Sequence, residues 1–287
     1  LPNPTDDADD EVLSDNPYAA RDSNYYVPEW PVGRLPGENG ADAGLLLQQI
    51  RQSIKYHSQA VKSPKKIQRI KDFVTFLNFL SIMRRSNRKV SSFGYTASVW
   101  RRSSLAAYRP VGEGKSLLVS PPSSTGSFNP TKLTHTPLSY YNLHGLADTA
   151  EWYGQRDPYE IGESPEYPVA LSIKDLPKNG SAPKVVFSEA CYGGFVSEKC
   201  EKESIALRFL SIGSMAVIGS TCISYGSVTT PLVGADLLGF LFWSALKEGY
   251  PVGEALAQAK IGLVREMNKR QGFLDGEDQK TLISFVL

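Results

Sequence analysis

Cysteine and histidine are scarce in this chain, three of each among 287 residues. Cys191, Cys200 and Cys222 are odd in number and no two have zinc-site spacing, so neither a disulfide framework nor a structural zinc organises the fold. A Cys200–Cys222 pair in an oxidising compartment stays open. No apolar run approaches the ~20 residues of a membrane-crossing helix. There is no phosphate loop, dinucleotide fingerprint, internal repeat or low-complexity tract. Net charge is nearly absent too, at +1.

What the chain does have is core material. Its 41% hydrophobic and 10% aromatic residues suffice for one large α/β domain or two small ones. Its charges are segregated: residues 1–48 carry ten acids against Arg21 and Arg34, while residues 51–102 carry thirteen Lys or Arg against Asp72 alone. The basic segment is either a docking surface for RNA, a membrane or a partner subunit, or the solvated face of helices packed on a sheet.

Residues 1–40 are acidic, turn-rich and loop-like, with a short edge strand expected at Trp30-Pro31-Val32. Residues 41–57 have helical periodicity, with Leu45, Leu46, Ile50 and Ile54 on the buried side, and Ser63-Pro64 opens a second helix to about Arg85. A short helix is expected over Tyr95 to Ser103, a strand at 117–120, a loop over 121–137, and an insertion of little periodicity over 146–183. Helices then follow at 201–212, after Thr230-Pro231 and after Tyr250-Pro251, with strands at 215–220 and 281–287. This alternation predicts a mostly parallel sheet with helices on both faces, a three-layer α/β/α sandwich.

Two short apolar runs end in reactive tips. Ser139-Tyr140-Tyr141-Asn142-Leu143 runs into His144-Gly145, and Lys184-Val185-Val186-Phe187-Ser188 runs into Glu189-Ala190-Cys191-Tyr192-Gly193-Gly194. As neighbouring parallel strands they would bring a histidine and a cysteine to one rim of the sheet, where open α/β sheets hold their active sites. That pairing suits thiol chemistry: the sulfur attacks and the imidazole moves the proton.

His-Gly after one strand and Glu-Ala-Cys-x-Gly after the next resemble the caspase-fold cysteine peptidases, and within them the gingipain-like branch. Ser14-Asp15-Asn16-Pro17-Tyr18, Val32-Gly33-Arg34-Leu35-Pro36 and Ile218-Gly219-Ser220-Thr221 are similar to further blocks of that branch. The resemblance implies a peptidase domain over 41–287 preceded by the acidic segment 1–40. It also implies a strand upstream of Leu1 and a Gly-Asp-Pro turn after Leu287, so the chain is expected to be a piece of a longer protein. The resemblance further implies Cys191 as nucleophile, His144 as general acid and base, and the backbone N–H groups of Gly145 and Cys191 as the oxyanion hole. A helix starting soon after Cys191 would help to ionise the thiol. A silent caspase-fold interaction module using segment 51–102 is the alternative.

Glu189 lies two residues before Cys191 and so on the same side of the strand. In legumains and gingipains an acid at this offset lies at or near the pocket for the residue preceding the cut, which implies cleavage after Arg, then Lys, of a peptide or protein substrate. Anchoring a neighbouring loop is the other role open to Glu189. The pocket aspartate of Arg-specific gingipains falls at Tyr25 here, so a small apolar or amide residue before the cut competes. Ile223, Ser224 and Tyr225 are further pocket candidates, and Trp152, with Tyr153 and Arg156, either walls the cleft or packs in the core. No cofactor is expected. Calcium is implied by resemblance alone, since Asp6, Asp7, Asp9, Asp10 and Glu11 lack the order of a calcium loop and read as a disordered tail.

Overall fold

The computed structural model describes residues 1–40, 42–61, 91–134, 136–160, 163–177 and 182–287. The second helix expected, from Ser63 to about Arg85, lies outside the described residues, as does most of the basic segment.

The strands are β1 (Ser92–Ala97), β2 (Leu117–Ser120), β3 (Leu138–Asn142), β4 (His144–Gly145), β5 (Glu151–Tyr153), β6 (Val169–Ser172), β7 (Val185–Ser188), β8 (Ala216–Ser220) and β9 (Phe285–Val286). Six form the main sheet in the order β2-β1-β3-β7-β8-β9, parallel except for the antiparallel β8–β9 pair. The helices are α1 (Gly44–Val61), α2 (Arg101–Tyr108), α3 (Thr131–Thr134), α4 (Ile205–Ser211), α5 (Gly234–Glu248), α6 (Val252–Gln271) and α7 (Gly276–Ser284).

The central strands read as near-continuous apolar runs because both faces of the sheet are covered. Side chains alternate between two cores. Tyr140, Val185, Phe187, Ala216 and Ile218 join α2, α5, α6 and α7 in one, through Tyr108, Phe242, Trp243, Leu263 and Leu282. Tyr141, Val186 and Val217 point the other way, onto Leu45 of α1 and Leu207 and Phe209 of α4. This is the mostly parallel three-layer sandwich expected.

Several local expectations are corrected. Tyr95 lies in β1 rather than in a helix, because Phe93, Tyr95 and Ala97 alternate into the second core and the helix begins only at Arg101. The segment 146–183 is not featureless: β5 pairs antiparallel with β4 on one side and β6 on the other in a small three-stranded sheet. The expected strand at 281–287 is mostly α7, capped by Asp275, whose side chain accepts from the Asp278 N–H (2.9 Å), and only Phe285–Val286 pairs with β8. Trp30-Pro31-Val32 forms no strand, and Ile54 is 62% exposed rather than on the buried side of α1.

Candidate active site

β3 and β7 are hydrogen-bonded neighbours in register Tyr141↔Ser188, so their C-terminal tips lie side by side. The Glu189 N–H continues the ladder to the Tyr141 carbonyl (2.8 Å). From there the chain turns sharply through Cys191, with the Gly193 N–H donating to the Ala190 carbonyl (2.9 Å). Tyr192 sits at φ 55°, a left-handed conformation costly for an aromatic residue. On the adjacent tip, β4 presses its backbone against this turn. A Cβ at Gly145 would stand 2.1 Å from the Cys191 carbonyl oxygen, so only glycine fits.

His144 and Cys191 line one cavity of about 70 Å³, together with Trp100, Asn142, Glu189, Ser224, Tyr225 and Asp236 among others. A larger cavity, about 240 Å³ at the β1–β2 edge by Lys115 and Lys132, holds none of the candidate residues. The imidazole is held on three sides. Its ring lies 4.4 Å from that of Trp100 and 5.6 Å from that of Tyr167, and Nε2 is 2.9 Å from Gln155 Oε1. In the tautomer whose Nε2–H donates to Gln155, Nδ1 is the basic atom. Burial pulls the His144 pKa down, and Gln155 only partly restores it.

The Cys191 thiol faces Ser224. Sγ is 3.6 Å from the Ser224 carbonyl, to which the thiol donates, and 3.3 Å from the Ser224 N–H, which donates to sulfur. Burial raises the thiol pKa, and backbone hydrogen bonds offset this only in part. Cys191 and His144 therefore rest as neutral groups. The helix expected after the nucleophile is not there to assist: α4 begins at Ile205, and the intervening residues form turns.

Glu189 is buried and, among the described residues, its Oε1 has no hydrogen-bond partner. It fits because α5 carries Gly239 opposite, where a Cβ would stand 2.8 Å from that oxygen. Its pKa is raised well above the carboxylate range, first by burial and then by the charge of Asp236. Asp236, in the first turn of α5, turns inward instead of capping its helix. It accepts from the Ser227 N–H (2.6 Å) and from the Asn142 amide (3.3 Å). Burial pushes its pKa up to about 7. Two carboxyls thus share the floor of the cavity, and among the described residues no Lys or Arg lines it.

The remaining candidates divide. Ser224 and Tyr225 line the cavity, whereas Ile223 turns its N–H to Asp9 Oδ2 (2.9 Å). Trp152 is not a cleft wall: it is buried in the second core, 5.1 Å from the Tyr141 ring. Asp236 and Gln155 escaped the sequence reading; an inward Asp near a helix start looks like an ordinary cap, and Gln155 lay in an unassigned stretch.

The acidic N-terminus is ordered rather than a disordered tail. Asp7 and Asp9 both accept from Lys280 of α7, at 2.5 and 2.6 Å. They do not fit a calcium ion, because that ammonium already stands between them. No group of three or more His, Cys, Asp or Glu among the described residues is arranged to hold a metal.

No protein-family model matches the chain, and no curated protein matches it by sequence. Solved structures do match. The Arg-specific cysteine proteinase gingipain R (RgpB) superposes with a TM-score of 0.58 at 13% identity, over 96% of this chain and 57% of that one. The complex of Porphyromonas gingivalis RgpB pro- and mature domains gives 0.56 at 14% identity, over 96% and 59%. The fold is gingipain-like. At these identities the likeness extends to the fold alone, and the chain spans less than two thirds of the structures it matches. Among the described residues no helix is long and apolar enough to cross a membrane.

Proposed function

We propose that the protein is a cysteine peptidase that cleaves after basic residues, Arg before Lys. The observation that carries this is the shared cavity of Cys191 and His144, floored by two buried carboxyls that no Lys or Arg among the described residues faces. The gingipain-like fold supports a cysteine peptidase at the level of class.

Cys191 Sγ attacks the scissile carbonyl carbon as His144 accepts the thiol proton. Because both groups rest neutral, the proton moves during attack rather than before it. The oxyanion takes hydrogen bonds from the backbone N–H groups of Gly145 and Cys191, and the tight approach of β4 to the nucleophile turn suits that role. Collapse breaks the C–N bond, with His144 returning its proton to the leaving amine. Water, deprotonated by His144, then hydrolyses the thioester. The side chain preceding the cut enters toward Glu189 and Asp236. A guanidinium or ammonium there supplies the missing positive charge and satisfies the orphaned Oε1.

The test is a positional-scanning peptide profile of wild type, Cys191→Ala and Glu189→Ala, with labelling of Cys191 by a peptidyl-arginyl chloromethyl ketone. Wild type should prefer Arg, Glu189→Ala should lose that preference, and Cys191→Ala should be inactive and unlabelled. Equal cleavage by wild type and Cys191→Ala would end the proposal.

A further inference from the structure

The residues around the nucleophile turn are tied to the N-terminal segment more heavily than packing requires. Residues 1–12 form a loop of bends closed by the reciprocal Leu1–Val12 backbone hydrogen bonds, with Asp6, Ala8 and Asp10 exposed and Asp7 and Asp9 turned inward. Asp9 makes three separate links. Oδ1 accepts from the Tyr192 hydroxyl (2.7 Å), one residue after the nucleophile, and Oδ2 accepts from the Ile223 N–H (2.9 Å) and from Lys280 Nζ (2.6 Å). Asp7 Oδ2 accepts from Lys280 Nζ (2.5 Å) and from the Tyr225 hydroxyl (2.5 Å). Thr221 Oγ1 donates to the Leu13 carbonyl (2.6 Å), closing the same loop onto the segment. Lys280 is 1% exposed.

These contacts converge on the two pieces of chain that hold the thiol. Tyr192 keeps its left-handed backbone with an N–H bond to the Cys222 carbonyl (2.9 Å) and the hydroxyl bond to Asp9. Ile223 precedes Ser224, whose N–H and carbonyl both touch Cys191 Sγ. A strained turn persists only where its surroundings over-determine it, and the Asp9 carboxylate fastens both sides of the sulfur at once.

We propose that residues 5–12 form a strap that aims the nucleophile, with Asp9 and Lys280 as positioning residues acting through Tyr192 and the 222–225 loop. Lys280 serves as the fixed cation that lets two carboxylates be buried beside the site. The function of the strap rests on the proposal that Cys191 is the nucleophile; its geometry does not.

The experiment compares wild type, Asp9→Asn, Tyr192→Phe and Asp10→Asn, the last an exposed neighbour serving as control. Three readouts are taken: iodoacetamide labelling of Cys191 against Cys200 in the same sample, amide exchange of residues 191–194 and 222–226, and turnover of a peptidyl-arginyl substrate. With Asp9→Asn, Cys191 labelling and local exchange should quicken about tenfold while turnover falls about tenfold, since loosening exposes the sulfur but spoils its aim. Cys200 should not change. Because Asp9→Asn also takes counter-charge from Lys280 and endangers folding, Tyr192→Phe removes the hydroxyl bond alone and should move the same readouts about threefold in the same directions. Asp10→Asn should match wild type. Unchanged labelling and exchange in both Asp9→Asn and Tyr192→Phe, or equal acceleration at Cys200, would overturn the strap. If wild type cleaves no peptide, the peptidase proposal fails on its own, and labelling and exchange still decide the strap.

Discussion

Two pairs of carboxyls flank Cys191, and they differ in what faces them. Asp7 and Asp9 meet Lys280; burial raises the Asp7 pKa, but bonds from Lys280 and Tyr225 outweigh it and hold the carboxyl far below its usual range. Burial likewise works against the Lys280 ammonium, yet its bonds to Asp7 and Asp9 leave its pKa raised. Among the described residues no cation faces Glu189 or Asp236, so the same burial drives both upward, Glu189 well above the carboxylate range and Asp236 to about 7. The first pair is complete and works as structure. The second is incomplete, and under the proposed function an arriving basic side chain completes it.

The sharpest way to break the contrast is to remove the cation from the complete pair. Lys280→Met should cost about 3–5 kcal/mol in urea unfolding, because it strands two part-buried carboxylates without their partner. A loss below about 1 kcal/mol would mean that water already serves them.

Next in size is the incomplete pair. Glu189→Gln should lower kcat/KM for an arginyl peptide about 100-fold while leaving a neutral-residue peptide little changed, since the charge partner is lost but the shape is kept. Equal loss on both peptides would assign Glu189 to the scaffold.

Neither pair offers Cys191 a spare cation, and His144 rests neutral. Labelling of Cys191 by iodoacetamide should therefore rise about tenfold per pH unit from pH 6 to 8, as for a thiol well below its pKa. A plateau in that range would reveal a preformed thiolate–imidazolium pair.

The smallest effect is on stability. An acid whose folded pKa is raised binds more protons folded than unfolded, so burying Glu189 costs almost nothing at pH 4 and increasingly more as pH rises from the ordinary carboxylate range toward its raised folded value. Glu189→Gln should therefore raise Tm by about 2–4 °C at pH 8, the shift of ~1 kcal/mol in a domain of this size, and by almost nothing at pH 4. One substitution that stabilises the fold and impairs arginine selection would set the second pair apart from the first.

Much of the fold was legible beforehand because β3, β7 and β8 are buried on both faces and advertise this as mostly apolar runs. His144 and Cys191 could be placed on one rim for the same reason: strand direction and order carry their tips together. Elsewhere local signals misled. The 281–287 segment has strand-forming residues, yet the Asp275 cap draws most of it into α7. Trp152 was open to either a cleft wall or the core, and its strand turns it against Tyr141.

The sequence by itself determined the layered sheet and the meeting of one histidine with one cysteine, because strand periodicity and the order of elements are local properties of the chain. Only the tertiary structure decided which charges are neighbours. Asp9 and Lys280, or Glu189 and Asp236, are far apart in sequence, and each acquires its chemistry from how much water and which partner the folded chain leaves it.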